Sequence, residues 1–222
     1  MMQSDDFLKR LRAAVHRHRA VDHPFLDEFV SGRLSMFQLR LWAPQHAALV
    51  RAFPSYLERL IPRAEHPELL SMVLDAERQE PTLATLMERF MTGLGLGPEG
   101  SFLFDPAPQT AHFIRTHRAM AESAHPTVAL GAIGAGHVWA IQRIYPQILT
   151  GLRKRQSHDL EAFSRPLEDN ALHAHLWVKL VEAEASTPAG QAMLRQGATA
   201  SLEARERFWD GVGDVAHVRM IA

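Results

Sequence analysis

Histidines and carboxylates are the residues of this chain that could do chemistry. Thirteen histidines stand against two tyrosines, and there is no cysteine. Acid–base work and nitrogen or oxygen metal ligation are therefore open, while disulfides, thiolate ligands and thiol nucleophiles are closed. Which histidines point inward decides what they can do. His137 lies in HPTVALGAIGAGHVWAIQRIYPQILTGL, residues 125–152, and shares a helical face with Gly134, Ile141, Ile144 and Ile148. That spacing predicts a buried imidazole. Two roles stand for it: a core histidine bonded to a backbone carbonyl, or a ligand or proton carrier. The neighbouring Gly131, Gly134 and Gly136 each cost roughly 0.5–1 kcal/mol relative to alanine inside a helix. Something must approach that backbone closely, either another helix or a ligand.

His46 shares a face with Trp42, Leu49, Val50 and Phe53 and is read as inward-facing. Standing next to Pro44, it either serves a pocket or satisfies the carbonyl that the proline frees. Tyr145 is placed with it as a pocket residue. Glu77 and Glu80 are about one turn apart, and Glu77 is in line with Leu70, Val73 and Leu74. A carboxylate on an apolar face suggests a metal ligand or a general base; one residue of rotation would instead leave it solvated. In EDNALHAHLWVKL, His175 forms a stripe with Glu168, Leu172 and Lys179. Helical bundles build metal sites from such groups on separate helices. Imidazole and carboxylate without thiolate suit iron, manganese or zinc. The expected metal set is Glu77, His137, Glu168 and His175, although no compact motif such as His-Glu-x-x-His is present.

Helices must position these groups, because apolar residues recur at three- and four-residue spacing and no segment alternates with period two. The caps and breakers predict helices at 5–19 with Ser4 as N-cap, 24–30, and 36–60 behind a Ser35/Gln38 capping box. Pro44 and Pro54 fall inside the third of these. Further helices are expected at 67–80, 82–92, 109–123, 126–154, 167–185 and 188–211, the last opened by Thr187 and Pro188. No repeat or linker divides the chain, so residues 1–222 read as one all-α domain. A formal net charge of −1 with 46% hydrophobic residues describes an ordinary globule with no nucleic-acid footprint. The basic runs KRLRAAVHRHR and GLRKRQ have acidic neighbours and read as solvated faces. No stretch reaches the roughly 18 apolar residues that span a bilayer. The N-terminus has no apolar h-region, so a cytoplasmic protein is expected.

The stretch HPFLDEFVSGRLSMFQLRLWAPQHAALVRAFPSYLERL resembles the N-terminal signature of the heme-oxygenase-like superfamily. That group holds the thiaminase-type TenA proteins, the cofactorless PqqC, and CADD-like, iron-containing redox enzymes. LDAERQEPTLATLMERFMTGLGLG, ALGAIGAGHVWAIQRIYPQILTGL and GQAMLRQGATASLEARERFWDGV resemble later blocks of the di-iron branch, in the same order. The resemblance implies a heme-oxygenase-like multi-helix bundle, a homodimer, and an oxidase or oxygenase using dioxygen on a small molecule. Di-iron relatives take a Glu and a His from one helix, a Glu from a glycine-rich helix, and His-x-x-x-Asp-x-x-His from a later one. Glu77 matches the first glutamate. Leu83 or Ala84 stands where the following histidine belongs, and His137 or Gln142 where the second glutamate belongs. With His175 as the last histidine, Leu172 replaces the aspartate and Glu168 the first histidine. The implied non-heme iron site is thus a rearranged one, or the pocket works without metal, as in PqqC.

The resemblance to heme oxygenases implies a different cofactor, heme, with His16 as proximal ligand and Gly131, Gly134 and Gly136 against the porphyrin. Thiaminase chemistry is excluded, because it uses a cysteine nucleophile. A non-catalytic binding module on the same fold is the remaining reading.

Overall fold

The computed structural model describes residues 2–79, 81–97, 105–123, 125–155 and 160–218, with side chains 2–3, 166, 168–175 and 215–218 excepted. All regular structure among them is helical. The helices are α1 (Met2–Arg17), α2 (Pro24–Ser31), α3 (Met36–Leu60), α4 (Pro67–Glu77), α5 (Leu83–Gly93) and α6 (Pro108–Ala121). They are followed by α7 (Pro126–Leu130), a π-helical segment π1 (Gly131–Val138), α8 (Trp139–Lys154), α9 (Glu161–Glu184) and α10 (Pro188–Val218). No helix among the described residues is long and apolar enough to cross a membrane.

Local chemistry explains most boundaries. Ser35 and Gln38 close the capping box of α3 reciprocally: Ser35 N–H donates to Gln38 Oε1 at 2.7 Å and Gln38 N–H to Ser35 Oγ at 3.1 Å. Thr82 Oγ1 accepts from Thr85 N–H at 3.2 Å, and Thr187 Oγ1 from Gly190 N–H at 3.0 Å, so α5 and α10 start where the sequence predicts. His23 caps α2 through Nδ1, and its Nε2–H donates to Asp210 Oδ1 at 3.1 Å, tying α2 to α10. Several boundaries differ from expectation, among them the end of α10, at Val218 rather than Gly211. Ser4 lies inside α1, which begins at Met2, and α9 begins at Glu161 rather than Leu167. Helix α4 ends at Glu77, and Glu80 lies outside the described residues.

The largest difference is in the glycine-rich helix. Residues 126–154 form one continuous helical run, but its middle widens into π1. That segment is buried along its whole length and packs chiefly on α10, with α9 and α1 also against it. Long π-helical stretches are rare and gather at functional sites. Here the widened turns carry His137.

Candidate active site

Seven helical segments, α5 among them through Leu83, converge on one cavity of ≈ 80 Å³. On the measure by which one water needs about 10–15 Å³, it has room for a small organic molecule. α3 contributes His46, Leu49, Val50 and Phe53; α4 contributes Val73 and Glu77. His137 comes from π1, Ile141 and Tyr145 from α8, Arg165 and Trp177 from α9, and Arg205 from α10. His46, Glu77 and His137, singled out by spacing, and Tyr145, placed with them as a pocket residue, thus line the same space. Glu77 sits in the last turn of α4, where the helix dipole disfavours a carboxylate.

His137 stacks on Phe53, with ring centroids 4.9 Å apart, and its Nδ1 lies 2.8 Å from an Nη of Arg205. A guanidinium only donates, so Nδ1 must accept and the ring proton is assigned to Nε2. Burial holds the imidazole well below its usual pKa, and the Arg205 charge pushes the same way. The ring is therefore a neutral Nε2–H donor. Burial likewise takes His46 down to about 3. Its Nε2 is 3.1 Å from the Tyr145 hydroxyl, while its Nδ1 is buried without a partner. An orphaned buried N–H is the costlier arrangement, so the proton is assigned to Nε2, donating to the tyrosine oxygen. The Tyr145 O–H is then left to donate elsewhere, and burial raises its pKa so that it keeps its proton. His46 does not satisfy the carbonyl freed by Pro44.

Arg205 was not among the residues picked out by spacing. It continues the apolar stripe Leu194, Ala198, Leu202, Phe208 and Val212 of α10 at helical offsets. Like Glu77, it is a charge on an apolar helix face, a signal legible in the sequence. Burial lowers its pKa to about 10, and it remains a cation at neutral pH. His117 follows the same pattern on α6: its Nδ1–H donates to the Phe113 carbonyl at 3.0 Å and its Nε2 accepts from Ser201 Oγ at 2.9 Å. With both nitrogens engaged, it is a core residue.

Two cofactor expectations fare differently from the pocket. A metal-ligating histidine donates its second nitrogen to a carboxylate or carbonyl, whereas the second nitrogen of His137 accepts from Arg205. Its Nε2 lone pair is therefore protonated, and a guanidinium charge lies beside the ring. His137 does not fit an iron ligand. Among the described residues no group of three or more His, Asp or Glu side chains could hold a metal. The side chains of Glu168 and His175 lie outside the described residues, with only their helical backbone in α9 defined. The heme expectation is corrected by packing. A Cβ on Gly131 would collide with the Leu194 backbone, and one on Gly136 would come within 2.6 Å of Ser201 Cβ, both on α10. At Gly134 it would meet Val181 and Trp177 of α9 at 3.0 and 3.1 Å. The bare faces of the three glycines are filled by helices. His16 does not line the cavity; its Nε2 is buried without a hydrogen-bond partner, and burial, then Arg12 and Arg143, lower its pKa.

Residues 10–214 match the model of the TENA/THI-4/PQQC family. A 4-aminobenzoate synthase from Nitrosomonas europaea is 24% identical over 95% of this chain and 92% of its own length. A 4-chloro-allylglycine synthase from Streptantibioticus cattleyicolor is 23% identical over 96% of this chain and 85% of its own. The match to a 4-aminobenzoate synthase from Chlamydia muridarum, 29% identical, spans 108 residues, 47% of this chain and 46% of that protein. Among solved structures, a CADD-like protein of unknown function from Nostoc punctiforme superposes with a TM-score of 0.77 at 18% identity, covering 97% and 99% of the two chains. A domain of unknown function with a heme oxygenase-like fold from Shewanella denitrificans gives 0.75 at 14%, covering 97% and 92%. These similarities establish the heme-oxygenase-like fold.

Proposed function

From the premise that the chain belongs to the TENA/THI-4/PQQC family, we propose that its cavity oxidises a small organic molecule with dioxygen. In balanced form the substrate loses two hydrogens and dioxygen gains them as hydrogen peroxide. The names of two relatives matched over most of their length, 4-aminobenzoate synthase and 4-chloro-allylglycine synthase, favour small-molecule chemistry. The observation that carries the proposal is the arrangement around one cavity of two neutral N–H or O–H donors, His137 Nε2–H and Tyr145 O–H, with the carboxylate of Glu77.

Each group has a distinct task. Glu77 takes a proton from the substrate, the resulting anion gives two electrons and its second hydrogen to dioxygen, and the Glu77 proton then completes hydrogen peroxide. His137 and Tyr145 hydrogen-bond the negative charge that gathers on the reduced oxygen, a stabilisation strengthened by exclusion of water. Arg205 fixes the proton of His137 on Nε2, and His46, by donating to the Tyr145 oxygen, leaves the tyrosine O–H to donate elsewhere. No step in this scheme passes through iron. Oxygen uptake and peroxide release, followed with the purified protein over a panel of small aromatic and aliphatic acids and amines, test it. Uptake should require substrate and fall roughly 10²–10⁴-fold in Glu77→Gln and Tyr145→Phe. Substrate binding with no uptake would make the cavity a binding module.

A further inference from the structure

Arg205 is 1% exposed, a permanent charge placed among apolar side chains. The effective penalty for burying such a charge is several kcal/mol, and buried arginines are accordingly paired with anions. Among the described residues Arg205 has no ion-pair partner. The groups it touches among the described residues are neutral. One Nη donates to His137, the Phe113 ring lies 4.9 Å from the guanidinium carbon, and Nε is buried without a hydrogen bond. The same cavity is lined by Arg165 and by a single described carboxylate, Glu77. Among the described residues, two cations and one carboxylate thus line the same small space.

We infer that Arg205 is the counter-ion of the substrate, and that the cavity takes a small molecule bearing a carboxylate group. The carboxylate pairs with the part of the guanidinium that His137 leaves open, and Val50, Phe53, Ile141 and Trp177 take the hydrocarbon remainder. A single buried guanidinium suits a planar monoanion, whose two oxygens match its fork of donors. A phosphate would call for several cations or a backbone cradle. The inference rests on the cavity being the substrate site, and it adds the class of molecule that enters it.

The test is equilibrium binding without turnover. Calorimetry and thermal melting of the full chain would be run with acetate, hexanoate and benzoate, with the matching amides, and with chloride and phosphate. At least one acid should bind and raise the melting temperature, with an affinity about 10- to 100-fold above that of its amide. Arg205→Met should bring acid and amide to the same affinity. Arg205→Lys, which keeps the charge without the fork, should fall between. Several outcomes overturn the inference: equal binding of acids and amides, no acid binding at all, phosphate protecting as well as the best acid, or an acid preference that survives in Arg205→Met. If that variant does not fold, the acid–amide comparison on the native chain decides. Acid binding with no oxygen uptake would refute the oxidase and leave the carboxylate site standing. Uptake with neutral substrates alone would do the reverse.

Discussion

An imidazole with a guanidinium on its Nδ1 has no choice of tautomer, and that constraint separates His137 from the metal ligand its spacing suggested. The same contact explains why burial alone was legible in the sequence. The face shared with Ile141, Ile144 and Ile148 places the ring inside, but the partner comes from Arg205, 68 positions away. Removing the Tyr145 hydroxyl should lower turnover far more than stability, because a single hydrogen bond is worth about 1 kcal/mol net. Chemical denaturation and oxygen uptake of Tyr145→Phe measured side by side check this. Buried histidines also set a pH dependence. Burial lowers His46 and His117 to about 3 in the folded chain, against 6.5 when unfolded. The unfolded chain therefore binds more protons below pH 6.5. The stability these residues contribute is complete above that value and is lost as pH falls towards 3, by up to about 1.4 kcal/mol per pH unit for each. Urea melts at pH 7.5, 6 and 5 should show the decline, and a flat profile would contradict it. For His16, adding hemin should produce no sharp Soret band sensitive to His16→Ala.

The elements were easier to read than the site, because caps and prolines act locally. Ser35 with Gln38, Thr82, Thr187 and the prolines at 24, 67, 126 and 188 mark helix starts that the structure keeps. Widening of the helix over Gly131–Val138 left no such mark, since a π-helical segment depends on what packs against it. The glycines hinted at close approach, and the approach is that of α10 and α9. Gly131→Ala would drive a methyl group into the Leu194 backbone, which cannot retreat as a flexible side chain would. The expected cost is about 1–3 kcal/mol, seen as a lowered melting temperature. Gly134→Ala meets only side chains, from Val181 and Trp177, and should cost less. Equal effects at the two positions would argue against the close packing of π1 on α10.

The heme-oxygenase-like bundle gathers one group from each of several helices, so its site is a product of the complete fold rather than of a local motif. Single-helix periodicity could pick out His46, Glu77 and His137. It could not show that Arg205 reaches His137, or that helices rather than a macrocycle fill the glycine faces. The names of two relatives, 4-aminobenzoate synthase and 4-chloro-allylglycine synthase, favour small-molecule chemistry, and the cofactor question falls to the residues themselves. Oxygen uptake and peroxide yield before and after exhaustive chelation therefore test the central claim most directly. Uptake should depend on substrate, yield one peroxide per dioxygen, stay unchanged on chelation and be lost in Glu77→Gln. Uptake that disappears on chelation and returns with added iron would contradict it.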